Sequence, residues 1–393
     1  MKKILFITTK NILNTSGELR LIMNRAHALS SKWGIETEYI VLARNKHLAK
    51  KREKPNAINT TVLMVNKYNP VDIILKTNKL KSIIAKRIKS DNYNCVVLSG
   101  IGTLHLHSFV KKINRDIPVI ADIHGSVEDI KEFAKGKSIT KRIYLNLAYH
   151  YSRYSESKNL QHMDGIFVVS DALTQYLNKE YGLSDSNYYV VPCSIENNKN
   201  VQVDRKANRE YYRKKYGIEA NEKLFIYSGG VSPWQCIDKS IEIFNKLKDS
   251  NKNYKMLILS HKIQEILPMI KSYEDIITDS LDPSEVNKVL LAGDYAFLIR
   301  ENIVTNHVAF PNKFLEYVQS GMKIITTPYV FDVANYVEQY DLGVVVDFKS
   351  KNEEKILEYI NKNHPKVDNK REVLLKKVNF DYTLKNFVED FEL

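Results

Sequence analysis

The sequence predicts a protein of the α/β class, built from two doubly wound domains with parallel sheets. Short apolar runs alternate with amphipathic stretches over the first 200 residues, and the same alternation resumes after residue 222. Strands that alternate with helices form parallel βαβ units. The length of 393 residues also fits two domains of ordinary size. We expect domains at 1–200 and 201–375, followed at 376–393 by a C-terminal helix that returns towards the first domain.

The first domain is predicted from apolar runs that read as buried strands: KKILFITT, TEYIVLA, NCVVLSG, PVIADIHG and GIFVVS. Residues 19–32 and 71–90 are predicted to be helices, because their apolar residues recur at helical spacing on one face. Each of the last three strands is followed by a polar or glycine-bearing loop.

Residues 196–222 are polar, highly charged and poor in large aliphatic residues. This composition predicts a linker with room for a short helix. The second domain then has candidate strands KLFIYSGG, YKMLILS, DIIT, YAFLIR, KIITT and GVVVDF, separated by helices SIEIFNKLKD, PSEVNKVLLAG and NKFLEYVQSG. Ligands of doubly wound domains bind beyond the carboxyl ends of the strands. The loops after DIHG, SGG, LILS and FLIR are therefore the places to look for a site.

The cysteine content and the absence of long apolar stretches point to a cytoplasmic protein. Cys95, Cys193 and Cys236 are odd in number and widely spaced, which argues against a disulfide framework or a zinc site. The apolar run at 4–7 is too short for a signal peptide. No stretch approaches the roughly 20 apolar residues of a membrane span, so we expect any membrane contact to be peripheral.

The net charge of +13 is concentrated in one region of the predicted first domain. Residues 44–90 contain 13 Lys or Arg and two acids, a net charge of +11. Such a region can be a solvated basic surface, or it can face an anionic membrane or a phosphorylated acceptor. A nucleic-acid partner is not expected, because no helix-turn-helix, zinc-finger or aromatic RNP-like motif is present.

The most informative segment is 295–328, in which a strand ends in Arg300 and a helix follows. Pro311 is expected near the start of this helix, and Gly321 is expected to end it. A helix N-terminus favours phosphate oxygens, and Lys313 would add a positive charge. Glu316 could accept two hydrogen bonds from a ribose diol. The same spacing of Lys313 and Glu316 also fits a plain solvated helical ion pair.

The segment NKFLEYVQSGMKIITTP resembles the nucleotide-binding segment of retaining GT-B glycosyltransferases of family 4. The resemblance extends through SGG at 228–230, MDGIFVVSDAL, YYVVPCSIE, PVIADIHG and NTSGELRLIMNRAHAL, in the order that the family has them. It implies two Rossmann-like domains, the first for the acceptor and the second for the donor. It also implies that Glu316 holds the donor ribose, with Gly229, Gly230, Asn312 and Lys313 around the nucleotide.

The resemblance places three further residues at the site: Ser16, Gly17 and His124. Ser16 and Gly17 would form an acceptor or phosphate loop, although most such glycines are only turns. His124 would hydrogen-bond donor or acceptor hydroxyls, whereas a lone histidine after a strand is more often structural.

The sequence departs from the family pattern in two places. Val308 stands where the family has its first glutamate, so Glu301 is the candidate to replace it in a catalytic group with His124 and Arg300. The usual basic residues after the second glycine loop are missing from SGGVSPWQCIDKS. Phosphate charge would then come from Arg300 and Lys313.

The implied activity is transfer of a sugar from a nucleoside-diphosphate sugar to a hydroxyl of a glycan or lipid-linked glycan. Retention, a role in cell-envelope polysaccharide or glycolipid synthesis, and peripheral attachment to the inner face of the membrane are expected. No cofactor or metal is expected, because no DxD sequence or metal-ligand cluster is present. Two alternatives stay open: a sugar-nucleotide 2-epimerase with the same fold, and a non-catalytic subunit that binds a membrane or a partner.

Overall fold

The computed structural model describes residues 1–9, 17–43, 59–64, 70–184, 186–193, 204–270, 274–347, 352–362 and 368–393. Contacts within the chain divide it into two compact units. The first unit comprises Met1–Ser194 together with Val378–Leu393, and the second comprises Ile195–Lys377. The domain boundaries expected from the sequence, after residues 200 and 375, lie near these divisions.

The first unit is built on a parallel sheet of seven strands in the order β3-β2-β1-β4-β5-β6-β7. The strands are β1 Lys3–Thr8, β2 Glu36–Ala43, β3 Asn59–Met64, β4 Cys95–Ser99, β5 Val119–Ile123, β6 Gly165–Val168 and β7 Tyr188–Val190. The central strands β1, β4, β5 and β6 are almost wholly buried, as expected for a parallel sheet covered on both faces. Strand β3 was not predicted, because NTTVLM begins with three polar residues and only its second half, Val62, Leu63 and Met64, is apolar.

Among the described residues, the α-helices between these strands are α1 Gly17–Trp33, α2 Pro70–Ser90, α3 His107–Ile113, α4 Glu128–Ala134, α5 Ile139–Asn159 and α6 Asp171–Tyr181. The sequence sets the ends of α6 directly. The Ser170 hydroxyl accepts a hydrogen bond from the Leu173 N–H at 3.0 Å, and Gly182 ends the helix in the left-handed conformation. The predicted helices at 19–32 and 71–90 correspond to α1 and α2.

The second unit has a parallel sheet of six strands in the order β10-β9-β8-β11-β12-β13. The strands are β8 Lys223–Ser228, β9 Tyr254–Leu259, β10 Ile276–Asp279, β11 Tyr295–Leu298, β12 Lys323–Thr326 and β13 Gly343–Val345. Its helices are α7 Arg205–Lys215, α8 Ile237–Ser250, α9 Ile263–Ile266, α10 Pro283–Leu290, α11 Val304–His307, α12 Asn312–Ser320, α13 Phe331–Gln339, α14 Asn352–Asn361 and α15 Asp368–Lys377. All six strands predicted for this half of the chain are present.

The polar segment predicted as a linker is, from residue 204 onward, an integral part of the second unit. Asp204 caps α7, and Arg209 donates to three backbone carbonyls at the end of α10 at 3.0–3.1 Å. Arg209 and Arg213 also pair with Asp294 at 2.6 and 3.2 Å. The arginines that make this segment highly charged therefore cap the end of α10. Composition alone does not reveal that role.

The last residues of the chain pack on the first unit as two short helices, α16 Phe380–Thr383 and α17 Lys385–Asp390, rather than as the single helix expected. The Phe387 ring lies 4.7 Å from that of Phe167 in β6. The Tyr189 hydroxyl donates to Asp390 at 2.7 Å.

A polar network fixes one face of α5 against α4 and α6. Tyr149 and Arg153 both donate to Glu128, at 2.7 and 3.1 Å, and Arg153 also binds Glu180 at 2.7 Å. Further along α5, the fully buried Glu156 accepts a hydrogen bond from the Tyr181 hydroxyl at 2.6 Å. Burial raises the pKa of Glu156 to about 7. The folded protein therefore holds a proton on Glu156 that the unfolded chain releases at lower pH.

Because the folded-state pKa of Glu156 is raised, this group's contribution to stability falls as the pH rises from about 5 to about 7. Glu156→Gln removes the titration and keeps an oxygen for Tyr181. We expect the variant to gain stability relative to the wild type as the pH rises, by on the order of 2 kcal/mol near pH 8. Urea unfolding at about pH 5 and about pH 8 measures the difference. An identical pH dependence in both proteins would refute the buried-proton assignment, and the exposed Glu389→Gln is the control.

Candidate functional site

Both sheets reverse their strand order at one point, between β1 and β4 in the first unit and between β8 and β11 in the second. At such a switch point the loops beyond the carboxyl ends of the strands diverge and leave a crevice for a ligand. The predicted SGG loop follows β8 and the Arg300-Glu301 pair follows β11, so both flank the switch point of the second unit. In the first unit, Gly17 is the first residue of α1, and Ser16 lies outside the described residues.

The two loops of the second unit are joined by hydrogen bonds into one rim. The Asn306 side chain donates to the backbone oxygens of Trp234, at 3.2 Å, and Glu301, at 2.8 Å. The Glu301 N–H reaches the same Trp234 oxygen at 3.3 Å. Trp234 and Asn306 therefore fix the position of the loop that carries Arg300 and Glu301.

Gly229 and Gly230 form a loop directly after β8 in which backbone atoms, and no side chains, are available to a ligand. A Cβ on Gly230 would lie 3.0 Å from the Gln235 Oε1, and one on Gly229 would lie 3.2 Å from the Tyr227 hydroxyl. Cys236, at the start of α8, has a φ of 48°, a conformation that non-glycine residues adopt rarely. Unusual backbone of this kind often accompanies a binding site, and no side chain caps the N-terminus of α8.

Helix α12 starts at Asn312, as the predicted helix NKFLEYVQSG does, and Pro311 is the residue before the helix. No side chain caps this N-terminus, and Gly321 ends the helix at a φ of 86°. The Ser228 N–H donates to the Tyr317 hydroxyl at 2.9 Å, which ties α12 to the end of β8. The helix start and the glycine loop therefore belong to one structural assembly.

Lys313 and Glu316 form an ion pair at 2.6 Å, but the pair is not the solvated one that its spacing also allowed. The Glu316 side chain is 5% exposed, whereas that of Lys313 is 27% exposed. A carboxylate that is held below the surface beside a helix start is suited to accept hydrogen bonds from a ligand's hydroxyl groups. Lys313 is placed to contribute positive charge at the same point.

Arg300 and Glu301 are adjacent but have opposite environments. The Arg300 side chain is buried and donates to the backbone oxygens of Ile299 and Gln235, at 2.9 and 3.4 Å. Burial lowers the pKa of Arg300. Glu301 is exposed, while Val308, at the position where the resemblance expects a glutamate, is buried. Lys313 is therefore more accessible to a phosphate than Arg300, and Glu301 is the accessible carboxylate of this loop.

In the first unit, His124 lies beside a buried charge at the end of β5. Its Nε2 is 2.9 Å from Asp122 Oδ2, and Asp122 also accepts a hydrogen bond from Ser99 at 2.9 Å. The fully buried Arg25 of α1 pairs with Asp122. Burial by itself would raise the pKa of Asp122, but Arg25, His124 and Ser99 together lower it well below its usual range. Asp122 is thus an ionised carboxylate beside the His124 imidazole.

The sequence reasoning missed Arg25 and Asp122. Both carried a signal: Asp122 is the one acid in the apolar run VIADI, and Arg25 lies at helical spacing on the apolar face formed by Leu21, Ile22 and Leu29. A charged residue on a buried face needs a partner, because an isolated buried charge is costly.

A cavity of about 570 Å³ lies elsewhere on the second unit. Lys223 and Lys323, the first residues of β8 and β12, line it together with Arg205 and Gly321. It is therefore at the amino ends of the strands, opposite the glycine loop. Arg205 donates to the carbonyl of Gln319 at the end of α12, so this basic cavity is explained by the capping of helix ends.

Within the described ranges, no three His, Cys, Asp or Glu side chains are grouped closely enough to bind a metal ion. None of the helices in that part of the chain combines the length and the hydrophobicity of a membrane span.

The two parallel sheets with flanking helices form the fold of GT-B glycosyltransferases. Residues 19–199 match the family model Glycosyltransferase Family 4. The crystal structure of a glycosyltransferase from Rickettsia africae ESF-5 superposes with a TM-score of 0.69, at 14% identity over 100% of this chain and 98% of the other. The chain therefore has the GT-B fold.

Particular members of this class are also similar to the chain. The lipopolysaccharide glucosyltransferase WaaG of Escherichia coli strain K12 is 20% identical over 242 residues. This match spans 61% of the chain and 62% of WaaG. A crystal structure of WaaG, described as a glycosyltransferase involved in lipopolysaccharide biosynthesis, has a TM-score of 0.65 and 16% identity, over 97% of this chain and 96% of that one.

Proposed function

We propose that the protein transfers a sugar from a nucleoside-diphosphate sugar to a hydroxyl group of a cell-envelope glycan or glycolipid. The observation that carries this proposal is the buried Glu316, paired with Lys313 at the uncapped start of α12 and tied to the glycine loop through Tyr317. This arrangement offers oxygen acceptors for a ribose and positive charge for a diphosphate at the switch point of one sheet. The family match and the similarity to WaaG support the choice of glycan chemistry.

The proposed chemistry is departure of the nucleoside diphosphate from the anomeric carbon as the acceptor oxygen bonds to that carbon. Catalysis would come from stabilising charge on the leaving phosphate and from holding both substrates in line. Lys313 and the N-termini of α8 and α12 are the groups proposed for the phosphate, with Gly229 and Gly230 allowing its close approach. Retention follows the family resemblance, and no metal is required if these groups neutralise the diphosphate.

The acceptor is proposed to bind the first unit, where His124 can hydrogen-bond a hydroxyl group. The Asp122 carboxylate, 2.9 Å from Nε2, is proposed to orient the imidazole, so that a hydroxyl would meet a preoriented donor or acceptor atom. In the family a glutamate stands at the position of Val308. Glu301 is proposed to contact the donor sugar in its place. The acceptor is proposed to be a glycan or a lipid-linked glycan, with the protein attached to the cytoplasmic face of an anionic membrane and not bound to nucleic acid.

A thermal-shift panel of nucleoside diphosphates and their sugars tests the donor site. We expect at least one nucleoside diphosphate to raise the melting temperature of the full chain, with the same shift in EDTA. The matching nucleoside, which lacks the phosphates, should give a smaller shift. Stabilisation that requires magnesium would contradict the metal-free site. No shift with any nucleotide would favour a non-catalytic subunit.

A further inference from the structure

Helix α5 exposes a stripe of apolar and aromatic side chains along one face. Ile139, Ile143, Leu147, Tyr151 and Tyr154 are 59–75% exposed. Their spacing of four, four, four and three residues places them on one side of the helix. Among the described residues, seven of the fourteen large apolar side chains that are exposed lie between Phe133 and Tyr154. An apolar cluster of this kind marks an interaction surface.

The apolar stripe lies on the side of α5 that faces away from the helices against which α5 packs. The opposite face of α5 carries Tyr149, Ser152 and Glu156, which are all buried. Hydrogen bonds from Tyr149 to Glu128 and from Tyr181 to Glu156 hold that face against α4 and α6. The helix therefore has a fixed orientation that turns the stripe outward from these neighbouring helices.

The charge along the segment that carries the stripe is of one sign. Residues 133–154 contain no Asp or Glu and five Lys or Arg: Lys135, Lys137, Lys141, Arg142 and Arg153. The first four are exposed. The Nζ atoms of Lys137 and Lys141 lie 4.8 and 5.6 Å from the centre of the exposed Phe133 ring. Lysines beside aromatic and aliphatic groups match the headgroup region of an anionic bilayer, where tyrosine rings also concentrate.

We propose that the α5 stripe, with its flanking lysines, docks on an anionic membrane surface and that α5 lies in the plane of the headgroups. A second copy of the chain fits less well, because it would bring like charges together. The inference rests on the proposed function, which includes attachment to an anionic membrane, and it assigns that attachment to α5. It also differs from the basic region 44–90: the exposed face of α2 has one large apolar side chain, Leu75, beside Lys79, Ser82 and Lys86, and residues 44–58 lie outside the described residues.

Co-sedimentation of the full chain with vesicles tests the proposal. Vesicles of phosphatidylcholine alone are compared with vesicles that also contain phosphatidylglycerol, at low and high salt. We expect binding only to the anionic vesicles. The pair Ile143→Ser and Leu147→Ser should weaken it at least about tenfold, because two apolar side chains lose their burial. The pair Lys137→Glu and Lys141→Glu should weaken it similarly and reduce its salt dependence.

Two matched controls separate this surface from others. The pair Tyr211→Ser and Val373→Ser removes apolar groups of the second unit that are 64% and 56% exposed, and should leave binding unchanged. The pair Lys79→Glu and Lys86→Glu tests α2 and should have a smaller effect than the α5 substitutions. In a separate variant, Leu147→Trp, anionic vesicles should shift the fluorescence to shorter wavelength.

Three results would overturn the proposal: undiminished vesicle binding by the α5 variants, a Leu147→Trp spectrum that vesicles leave unchanged, or a self-association in solution that the serine pair abolishes. The last result would assign the stripe to a second copy of the chain. Nucleoside-diphosphate binding without vesicles is measured on the same variants and should equal that of the wild type. A wild-type protein that binds nucleotide but not anionic vesicles refutes only this inference, whereas absence of nucleotide binding in the wild type refutes the proposed function.

Discussion

Replacement of Glu316 by alanine is expected to weaken nucleoside-diphosphate binding by about a hundredfold or more and to abolish most of the sugar transfer. The side chain is almost wholly buried, so its hydrogen bonds to a ribose would be poorly replaced by water. Each charge-assisted hydrogen bond contributes about 1.5–3 kcal/mol, and a hundredfold change in Kd corresponds to about 2.7 kcal/mol. Calorimetric titration of the variant with the nucleotide found in the thermal-shift panel measures the loss.

Two companion variants assign the loss to the ligand rather than to the fold. Glu338→Ala removes an exposed carboxylate from α13 of the same unit and should bind nucleotide like the wild type. Lys313→Met should weaken binding of the diphosphate but not of the free nucleoside, because only the diphosphate carries the charge. Unchanged nucleotide affinity in a folded Glu316→Ala protein would remove Glu316 from the site. Equal losses for nucleoside and diphosphate would give Lys313 a purely structural role.

The largest effect on stability is expected from breaking the pair between Arg25 and Asp122. Both side chains are almost completely buried, so Arg25→Met leaves an ionised carboxylate without its main counter-charge. Removal of one partner from a buried ion pair costs about 3–5 kcal/mol. The double variant Arg25→Met with Asp122→Asn should be less destabilised than Arg25→Met alone, since it buries no unpaired charge. The free energies of unfolding in urea provide the comparison.

An exposed ion pair supplies the control. Lys239 and Glu242 are each 49% exposed and lie 2.9 Å apart, and Lys239→Met should cost less than about 1 kcal/mol. If Arg25→Met were as mild as Lys239→Met, the buried pair would not be a major contribution to the stability of the protein. A double variant more destabilised than Arg25→Met alone would contradict the explanation by unpaired charge.

The sequence was most informative where one physical requirement dominates. A parallel sheet that is covered on both faces needs continuous apolar strands, and KKILFITT, NCVVLSG and YAFLIR could each be recognised on that basis. Gly321 was predicted to end a helix, and it adopts the left-handed conformation that favours glycine. Strand β3 shows this pattern only in its second half, Val62, Leu63 and Met64.

The sequence was less informative where the role of a residue depends on a distant partner. Arg209 and Arg213 looked like part of a solvated linker, but they cap a helix more than 75 residues further along the chain. Arg25 and Asp122 are 97 residues apart, so neither residue type alone revealed the pair. The outward direction of the α5 stripe likewise depends on which face of the helix meets α4 and α6.

The candidate site was anticipated in part. The loops after β8 and β11 were expected to carry it, and the strand order places them on either side of a switch point. The burial of Glu316 and of Arg300 could not be read from spacing, because a Lys and a Glu three residues apart are equally compatible with a solvated pair. The roles of Glu301, Asn312, Gly17 and Ser16 stay predictions.

The most direct test is a transfer assay with the full chain, a labelled nucleoside-diphosphate sugar and a membrane-lipid extract as the acceptor source. The proposed function predicts that label moves into a glycan or glycolipid product, that nucleoside diphosphate is released in equal amount, and that Glu316→Ala forms almost no product. Without acceptor, no transfer product should form and the donor sugar should keep its configuration. Release of an epimerised sugar nucleotide in the absence of acceptor, or no transfer with any donor that the protein binds, would contradict the proposal.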